Sequence, residues 1–410
     1  MKKAPLLVIF LTVFIDLLGF GIVLPLLPRY AEQFQASNTT IGLLMASFSA
    51  MQFVFAPIWG RVSDRVGRRP ILMLGLAGSV VFYAMFGLAT QLESLVWLFV
   101  SRIGAGICGA TIPTAQAYIA DSTTPEKRGQ GMALIGAAFG MGFTFGPLLG
   151  AIWVSADPAA APTGMPGFVA AAICAVSLLM AIFVLPESLR PGARAPQRHW
   201  FDVDSLRVAL ATPTLGPLLA IVFVATFAFA NFEGTLARLT KGAFGYGDRD
   251  NFILYAYIGL TLTLGQGLLV RRLMPRLGEV RLVWIGTTTL LLGLAGIGLA
   301  AQNQAAGIAI AAMPMAALGF SALSPSLQSL ISRRSDPRKQ GGILGVNQSV
   351  SAVARILGPF FGNVVYDVGT HHAMPYWTGA ALMGLGFVFA AGIGRRPADW
   401  TEGPRAVAPE

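Results

Sequence analysis

Long apolar runs separated by short polar connections dominate this sequence. Each run is close to the ~20 apolar residues that an α-helix needs to cross a bilayer. The runs predict twelve membrane-spanning helices, numbered here as spans 1 to 12, at residues 5–27, 40–59, 71–90, 94–119, 130–153, 166–186, 214–237, 252–270, 282–300, 305–331, 340–366 and 374–394. The pattern therefore predicts an all-α membrane protein.

Composition and charge placement support the same prediction. The chain of 410 residues is 55% hydrophobic and only 12% charged, whereas about a quarter of the residues of a soluble domain are charged. Of the 29 Lys and Arg residues, 23 fall in the termini and in the connections that share one side with them. Because basic residues favour the cytoplasmic side, we expect a multi-pass protein of the cell (inner) membrane with both termini cytoplasmic. The same placement explains the net charge of +10 without a nucleic-acid partner.

Residues suited to enzymatic or metal chemistry are not arranged as a site. Cys108 and Cys174 both lie in apolar runs, which favours packing over a disulfide. The three histidines lack metal-ligand spacing, and no Ser/His/Asp set or phosphate-binding loop is present. We therefore expect a protein that is not an enzyme and that has no cofactor and no metal.

The two halves of the chain repeat. Gly67 and Gly278 are separated by 211 residues, as are Lys127-Arg128 and Arg338-Lys339, while Gly146-Pro147 and Gly358-Pro359 are separated by 212. Parallel repeats with a substrate site at their interface are a transporter architecture. We therefore predict four segments: a six-helix bundle at 1–186, a cytoplasmic linker at 187–213, a second six-helix bundle at 214–396 and a cytoplasmic tail at 397–410. Within the linker, a short amphipathic stretch up to Leu210 suits the membrane surface.

The connection between spans 2 and 3 carries a distinctive pattern. It reads Gly60-Arg61-Val62-Ser63-Asp64-Arg65-Val66-Gly67-Arg68-Arg69-Pro70. The two glycines permit a tight turn, and Asp64 can pair with an arginine or cap a helix. An ordinary basic turn would need neither the acid nor both glycines.

The pattern G-x-x-x-D-R-x-G-R-R-P resembles the loop 2–3 signature of the major facilitator superfamily of transporters. The resemblance implies a cytoplasmic gate motif of Gly60, Asp64, Arg65, Gly67 and Arg68, closed by Asp121 at the end of span 4.

Two charged residues fall inside spans of the first half. Asp16 lies near the middle of span 1, where a carboxylate costs about 3 kcal/mol on insertion scales. It could serve a proton or a cationic substrate, or it could make a structural hydrogen bond. Arg102 in span 4 is permanently charged and needs a partner. Its position resembles the span 4 arginine that proton-coupled exporters of the superfamily use near their proton site; a structural ion pair is the alternative.

Span 5 contains Gly142, Gly146, Pro147 and Gly150 in the pattern G-x-x-x-G-P-x-x-G. Glycines four residues apart allow close helix contact, and the proline bends the helix. The pattern resembles the antiporter motif that marks exporters of the superfamily, although packing of small residues alone would also produce it.

The second half offers further polar positions. Glu233 lies near the outer end of span 7 and is either a third proton-coupling residue with Asp16 and Arg102 or a loop acid. In span 11, Asn347, Ser351 and Arg355 share one helical face and should line a cavity. Further cavity or substrate candidates are Gln52, Gln116 and Asn231.

The resemblance covers the whole chain and, within the superfamily, is to drug/proton antiporters of the tetracycline-exporter type. Leu185-Pro186-Glu187-Ser188 fits it as well. Where those exporters carry a His in span 8 and an Asp in span 9, Leu262 and Leu290 stand here, so a different, amphipathic substrate is expected. The resemblance implies a monomeric, proton-coupled exporter of drug-like molecules working by alternating access. The alternative is a proton-coupled importer or facilitator of a small metabolite on the same fold.

Overall fold

A computed structural model describes residues 4–124, 128–189, 207, 209, 212–336 and 340–393. Its long elements are all helical. They are α1 Ala4–Val23, α2 Leu27–Gln33, α3 Asn38–Val66, α4 Arg68–Gln91, α5 Leu95–Cys108, α6 Ile112–Ser122, α7 Arg128–Ala151, α8 Met165–Val184, α9 Gly216–Phe244, α10 Asp248–Leu264, α11 Arg271–Leu277, α12 Glu279–Gln302, α13 Ala306–Arg333, α14 Gln340–Val364 and α15 Met374–Ile393. Apart from residues 207 and 209, the amphipathic stretch predicted in the linker falls outside the described residues, as does the tail at 397–410.

The all-helical membrane fold is confirmed. Eleven of the twelve predicted spans are long and apolar enough within the described residues to cross a bilayer, three of them as consecutive helices: α1 with α2, α5 with α6, and α10 with α11. The twelfth, α14, has the length but is the most amphipathic of the long helices. Its polar face, which holds Asn347, Ser351 and Arg355, lowers its mean hydropathy.

Two glycines at equivalent places in the repeat share one backbone conformation. Gly67 joins α3 to α4 with φ 108° and ψ 156°, and Gly278 joins α11 to α12 with φ 76° and ψ 160°. Residues with a side chain rarely adopt this conformation, so both connections require glycine. The prediction that Gly60 also forms the turn is wrong: α3 continues to Val66 and the whole turn lies at Gly67. Six helical residues after Gly60 bring Asp64 onto the last turn of α3.

The Gly-Pro pairs of the repeat also occupy equivalent contacts. A Cβ on Gly146 of α7 would lie 2.8 Å from the carbonyl oxygen of Leu18 in α1. A Cβ on Gly358 of α14 would lie 2.7 Å from the carbonyl oxygen of Phe227 in α9. Small residues let helices in a membrane approach to backbone contact. The fifth span of each half therefore packs on the first span of that half through the glycine of its Gly-Pro pair.

Contacts between the halves concentrate on the side of the molecule away from Gly67 and Gly278. We call the side with these two glycines the basic face, and the other side the opposite face. A Cβ on Gly42 of α3 would meet the Phe360 backbone of α14, and one on Gly150 of α7 would meet the Phe252 ring of α10. By contrast, Gly136, Gly341 and Gly345, nearer the basic face, have no atom within 4 Å of a Cβ position. Within the described residues, the two halves are therefore in contact at the opposite face.

Helix α9 is the most buried of these eleven spans, with 83% of an apolar 18-residue stretch inside the protein. It extends to Phe244, eleven residues beyond Glu233. Glu233 therefore lies within a helix that is long enough to cross the membrane, and it is not a loop acid.

We expect Gly146→Ala to destabilise the folded protein because its methyl group would meet backbone atoms of α1, which cannot move aside as a flexible side chain could. Overpacking of this kind costs typically about 1–3 kcal/mol. Thermal unfolding in detergent checks this prediction. Gly136→Ala on the same helix is the matched control, since its methyl group enters open space. Equal melting temperatures for the two variants would contradict the packing argument.

Candidate functional site

Asp16 lies half-buried on α1 and accepts a hydrogen bond from the Ser79 hydroxyl of α4 at 2.7 Å. Among the described residues it has no cationic partner within ion-pair distance. One carboxylate oxygen is thus oriented by Ser79, while the charge itself is not neutralised by a salt bridge. Intramembrane carboxylates in such surroundings commonly mark ion or proton pathways.

Arg102 is 2% exposed on α5 and is held by aromatic rings. Its guanidinium carbon lies 4.4 Å from the ring centre of Phe48 and 5.7 Å from that of Phe20. Its Nε and Nη1 atoms are buried without a hydrogen-bond partner. Cation–π attraction partly compensates the loss of water, but the expected ion pair is not made in this conformation. Phe20 follows Asp16 by four residues on α1, about one helical turn, so the contact of Arg102 with the Phe20 ring brings the two charged positions to one region.

Two charged residues also lie inside spans of the second half. Glu233 on α9 and Arg355 on α14 attract each other electrostatically, but within the described residues they are not at ion-pair distance. The Arg355 side chain is accessible although it lies near the middle of α14. The Tyr255 hydroxyl donates to the backbone carbonyl of Glu233 at 2.5 Å and fixes the helix there.

The remaining cavity candidates have different environments. Gln52 donates to the carbonyl of Gly109 at 3.3 Å, where the span of α5 and α6 is interrupted. Asn231 is fully buried and donates to the carbonyl of Pro375 at 2.8 Å, so it joins α9 to α15 in this conformation. Asn347 is buried with its side-chain oxygen unpartnered, and Ser351 donates to the Asn347 backbone at 3.0 Å.

Gln116 of α6 is the most accessible of these candidates, since its side chain is exposed. The structure brings Asp16 and Arg102 to one region and Glu233 and Arg355 to another. It does not bring the amide side chains together around either pair.

The antiporter-type motif packs α7 against two neighbours. Gly142 and Gly146 face α1, and the ring of Pro147 lies 3.2 Å from the Cβ position of Gly21 in α1. Gly150 instead faces Phe252 in the other half. The motif therefore joins the Asp16 helix to the surface where the two halves meet.

On the basic face, Arg68 binds three side chains. Its guanidinium pairs with Asp64, lies 3.1 Å from the carboxylate of Asp121 and donates to the Ser63 hydroxyl at 2.9 Å. Arg68 is itself buried, whereas Arg65 is exposed. The ends of α3, α4 and α6 are consequently joined by one arginine, and all members of this cluster belong to the first half.

Glu187 completes this cluster from the end of α8, a contact that the sequence did not reveal. Its carboxylate accepts the first two backbone N–H groups of α4, from Arg68 at 2.9 Å and Arg69 at 3.1 Å. Helix N-termini leave such donors unpaired and favour an anion. Partial burial opposes ionisation, but these bonds and those from Ser188 and Leu189 outweigh it and lower the pKa of Glu187.

On the opposite face, Arg29 and Arg238 connect the halves. Arg29 of α2 lies 2.9 Å from the carboxylate of Asp248 at the start of α10. Arg238 of α9 pairs with Glu32 of α2. All four residues lie at helix ends or within the last turns of their spans. Both arginines are buried, and each pair crosses from one half to the other.

Further contacts hold Arg238 in place. It donates to Asn38 of α3 at 2.8 Å and to Asn363 of α14 at 3.0 Å, and its guanidinium carbon lies 3.8 Å above the Tyr366 ring. Arg29 and Arg238 are separated by 209 residues, close to the repeat distance. That spacing was visible in the sequence and could have identified them, although their acidic partners could not be matched without the fold.

Glu187→Gln should lower the melting temperature at neutral pH, because it removes the charge that the N-terminus of α4 stabilises. A carboxylate whose folded-state pKa is lowered contributes stability above its unfolded pKa and loses it as the pH falls through the folded value. The difference between wild type and Glu187→Gln should therefore shrink in acid. Glu93→Gln, at an exposed turn, serves as the control, and a difference that does not depend on pH would argue against this role for the charge.

Asp248→Asn should loosen the contact between the halves at the opposite face, because Arg29 loses its ion-pair partner. A Cys placed at Phe360, which contacts Gly42 across the halves, reports opening through labelling by an impermeant thiol reagent applied at that face. Cys108 and Cys174 are first replaced. Labelling should rise several-fold in Asp248→Asn and stay at the wild-type level in Asp250→Asn, whose carboxylate caps only its own helix. Equal labelling in both variants would refute the proposed contact.

Comparison with known proteins identifies one family of membrane proteins. The family model described as Major Facilitator Superfamily matches residues 9–359. The human major facilitator superfamily domain-containing protein 10 is 30% identical, covering 92% of this chain and 90% of that protein. The class C tetracycline resistance protein of Escherichia coli is also 30% identical, with 92% and 94% covered. Multidrug resistance protein 2 of Bacillus subtilis is 27% identical, with 94% of each chain covered.

Solved structures agree. The crystal structure of the human organic anion transporter MFSD10 (TETRAN) superposes with a TM-score of 0.69 at 28% identity, covering 95% of this chain and 99% of that one. A bacterial homologue of the lysosomal transporter Spinster has a TM-score of 0.77 at 15% identity and covers 98% and 99%, which shows the fold alone. The resemblance of the loop motif to the superfamily is confirmed. The chain belongs to the Major Facilitator Superfamily, whose members are membrane transporters and not enzymes.

Proposed function

We propose that this protein is a proton-coupled exporter of drug-like or amphipathic molecules, acting as a monomer in the cell membrane. In this proposal the basic face is cytoplasmic, and the segments 1–186 and 214–396 are the two units that rock against each other. The conformation described here is then open towards the cytoplasm. The multidrug and tetracycline resistance proteins among its relatives support export.

The observation that carries this proposal is Asp16. It is a carboxylate inside a span, without a salt bridge, on the helix that packs against the antiporter-type motif of α7. Protonation neutralises such a group within the membrane, and a positively charged or polar substrate competes with the proton for it. Binding of the two ligands is then mutually exclusive, which is the thermodynamic requirement for exchange.

The charge clusters on the two faces supply the alternating states. The Arg29–Asp248 and Arg238–Glu32 pairs must break before the opposite face can open. The Asp64–Arg68–Asp121 cluster, with Glu187, orders the helix ends that would meet the second half when the basic face closes. Glu233 lies five residues from Arg238 on α9, or about 7.5 Å along the helix, so opening the Arg238 pair would bring external water close to Glu233.

An organic anion is the second candidate substrate. The unpartnered nitrogens of Arg102 and the accessible side chain of Arg355 favour it, and a relative is described as an organic anion transporter. The coupling between the proton and the substrate would then differ from that of the exporter. Protonation of Glu233 leaves the Arg355 charge uncompensated and strengthens anion binding, so the proton and the anion would bind together and move in the same direction.

Proton movement in inside-out vesicles distinguishes these mechanisms. The vesicles are energised, and cationic dyes, antibiotics, organic anions and small metabolites are added one at a time. We expect a cationic or amphipathic compound to dissipate the pH gradient in wild type and to do so much more weakly in Asp16→Asn, because the variant cannot exchange a proton. Asp157→Asn, in an exposed connection, is the control with the same chemical change.

Normal proton-driven export by Asp16→Asn would rule out Asp16 as the coupling residue. An anion that enters cells together with protons would instead support symport through Arg355 and Glu233. Uptake of a metabolite in intact cells, with no response in the vesicles, would favour an importer.

A further inference from the structure

A groove on the second half has no role in the transport site described above. It has a volume of about 280 Å³ and is lined by Leu264, Gly265, Leu268, Leu269 and Arg272 of one helical span and by Leu318 of α13. Both walls belong to the second half. The contacts of α10 with α7, through Gly259 and Thr263, show where the halves meet, and the groove is not part of that surface.

A local change of helix type shapes this groove. Residues Gly265–Val270 form a π-helical segment between α10 and α11, and such segments are rare and often occur at functional positions. Gly265 packs tightly, since a Cβ there would lie 2.7 Å from the Ser321 hydroxyl oxygen of α13. The leucines on either side of Gly265 remain uncovered: Leu264, Leu268 and Leu269 are each about half exposed.

The position of the groove along its helical span corresponds to one leaflet of the bilayer. Arg272 lies 24 residues after Asp248, the first residue of this span, which corresponds to about 36 Å along the axis. A hydrocarbon core is about 30 Å thick. The leucines therefore face the acyl region of the leaflet on the basic face, and Arg272 reaches the level of its headgroups.

The charge at the mouth of the groove is uncompensated. Within the described residues Arg272 makes no hydrogen bond and no ion pair, and the segment 264–278 contains three arginines and no acid. The next acid along the chain is Glu279, which is already bound by Arg333 at 2.9 Å and by Ser329 at 3.0 Å. An anion is thus the complementary ligand for Arg272, and an apolar chain is the complementary ligand for the leucines.

We propose that this groove binds an anionic phospholipid of the leaflet on the basic face, with one acyl chain on the leucines and the phosphate on Arg272. Basic pockets at this level of a membrane protein bind anionic headgroups. The proposal is independent of the transported substrate and of the coupling mechanism.

Native mass spectrometry of the full chain, purified with equal amounts of phosphatidylglycerol and phosphatidylcholine, tests this site. We expect wild type to retain phosphatidylglycerol about fivefold in excess, the preference that one basic residue near the surface supplies. Arg272→Gln should reduce that excess to about equal retention. Arg276→Gln, on the same short helix but outside the groove, should keep it.

Leu268→Trp tests the apolar part by filling the groove, and it should lower the amount of retained phosphatidylglycerol while Arg272 is intact. Three results would overturn the proposal: equal retention of both lipids by wild type, an unchanged preference in Arg272→Gln, or an equal loss in Arg272→Gln and Arg276→Gln. The last result would indicate a general attraction to the basic surface. Melting temperatures of the variants, measured in parallel, show that each is folded.

Discussion

The cost of placing charge and unpaired backbone in hydrocarbon governs this structure. Every span is helical because a helix satisfies its own backbone groups, and each intramembrane charge has a specific environment. Asp16 has a hydroxyl donor, and Arg102 has aromatic faces. These two environments differ in how readily the charged group can leave them. A hydrogen bond to a hydroxyl is lost and regained easily, whereas removal of Arg102 from its rings would require helices to separate.

Duplication has placed the same physical devices in both halves. Glycine at a positive φ joins the second and third spans of each half, a Gly-Pro pair brings the fifth helix onto the first, and an arginine ends the first span of each half and reaches across to the other. The two halves differ in the charged residues of the connection between their second and third spans. The first half retains Asp64 and the cluster around Arg68. The second half has no acid equivalent to Asp64, and its Glu279, which follows Gly278, pairs with Arg333 of α13.

Periodicity and charge bias were sufficient to predict the helical membrane fold, because hydrophobic length is a property of each segment alone. The turn between α3 and α4 was placed too early, since both Gly60 and Gly67 permit a turn and only tertiary contacts select one of them. Ser79 and Glu187 could not be assigned from the sequence, because their partners lie 63 and 119 residues away. The π-helical segment gives no clear sequence signal, as its leucines suit an α-helix equally well. Asp16, Arg102 and Asp64 were recognisable because a charge inside a span, or among arginines, is unusual by itself.

The exceptional burial of α9 has a consequence for how this protein can diversify. Most positions along that helix are occupied by side chains packed on all sides, so substitutions there would be removed by loss of folding before they could alter selectivity. Only a third of an apolar 18-residue stretch of α3 is buried, Arg355 of α14 is accessible, and α3 and α14 touch each other across the two halves. Substitutions that change substrate selectivity among relatives of this protein should therefore occur on α3 and α14. Substitutions on α9 should be rarer, because they disturb the packing of the second half.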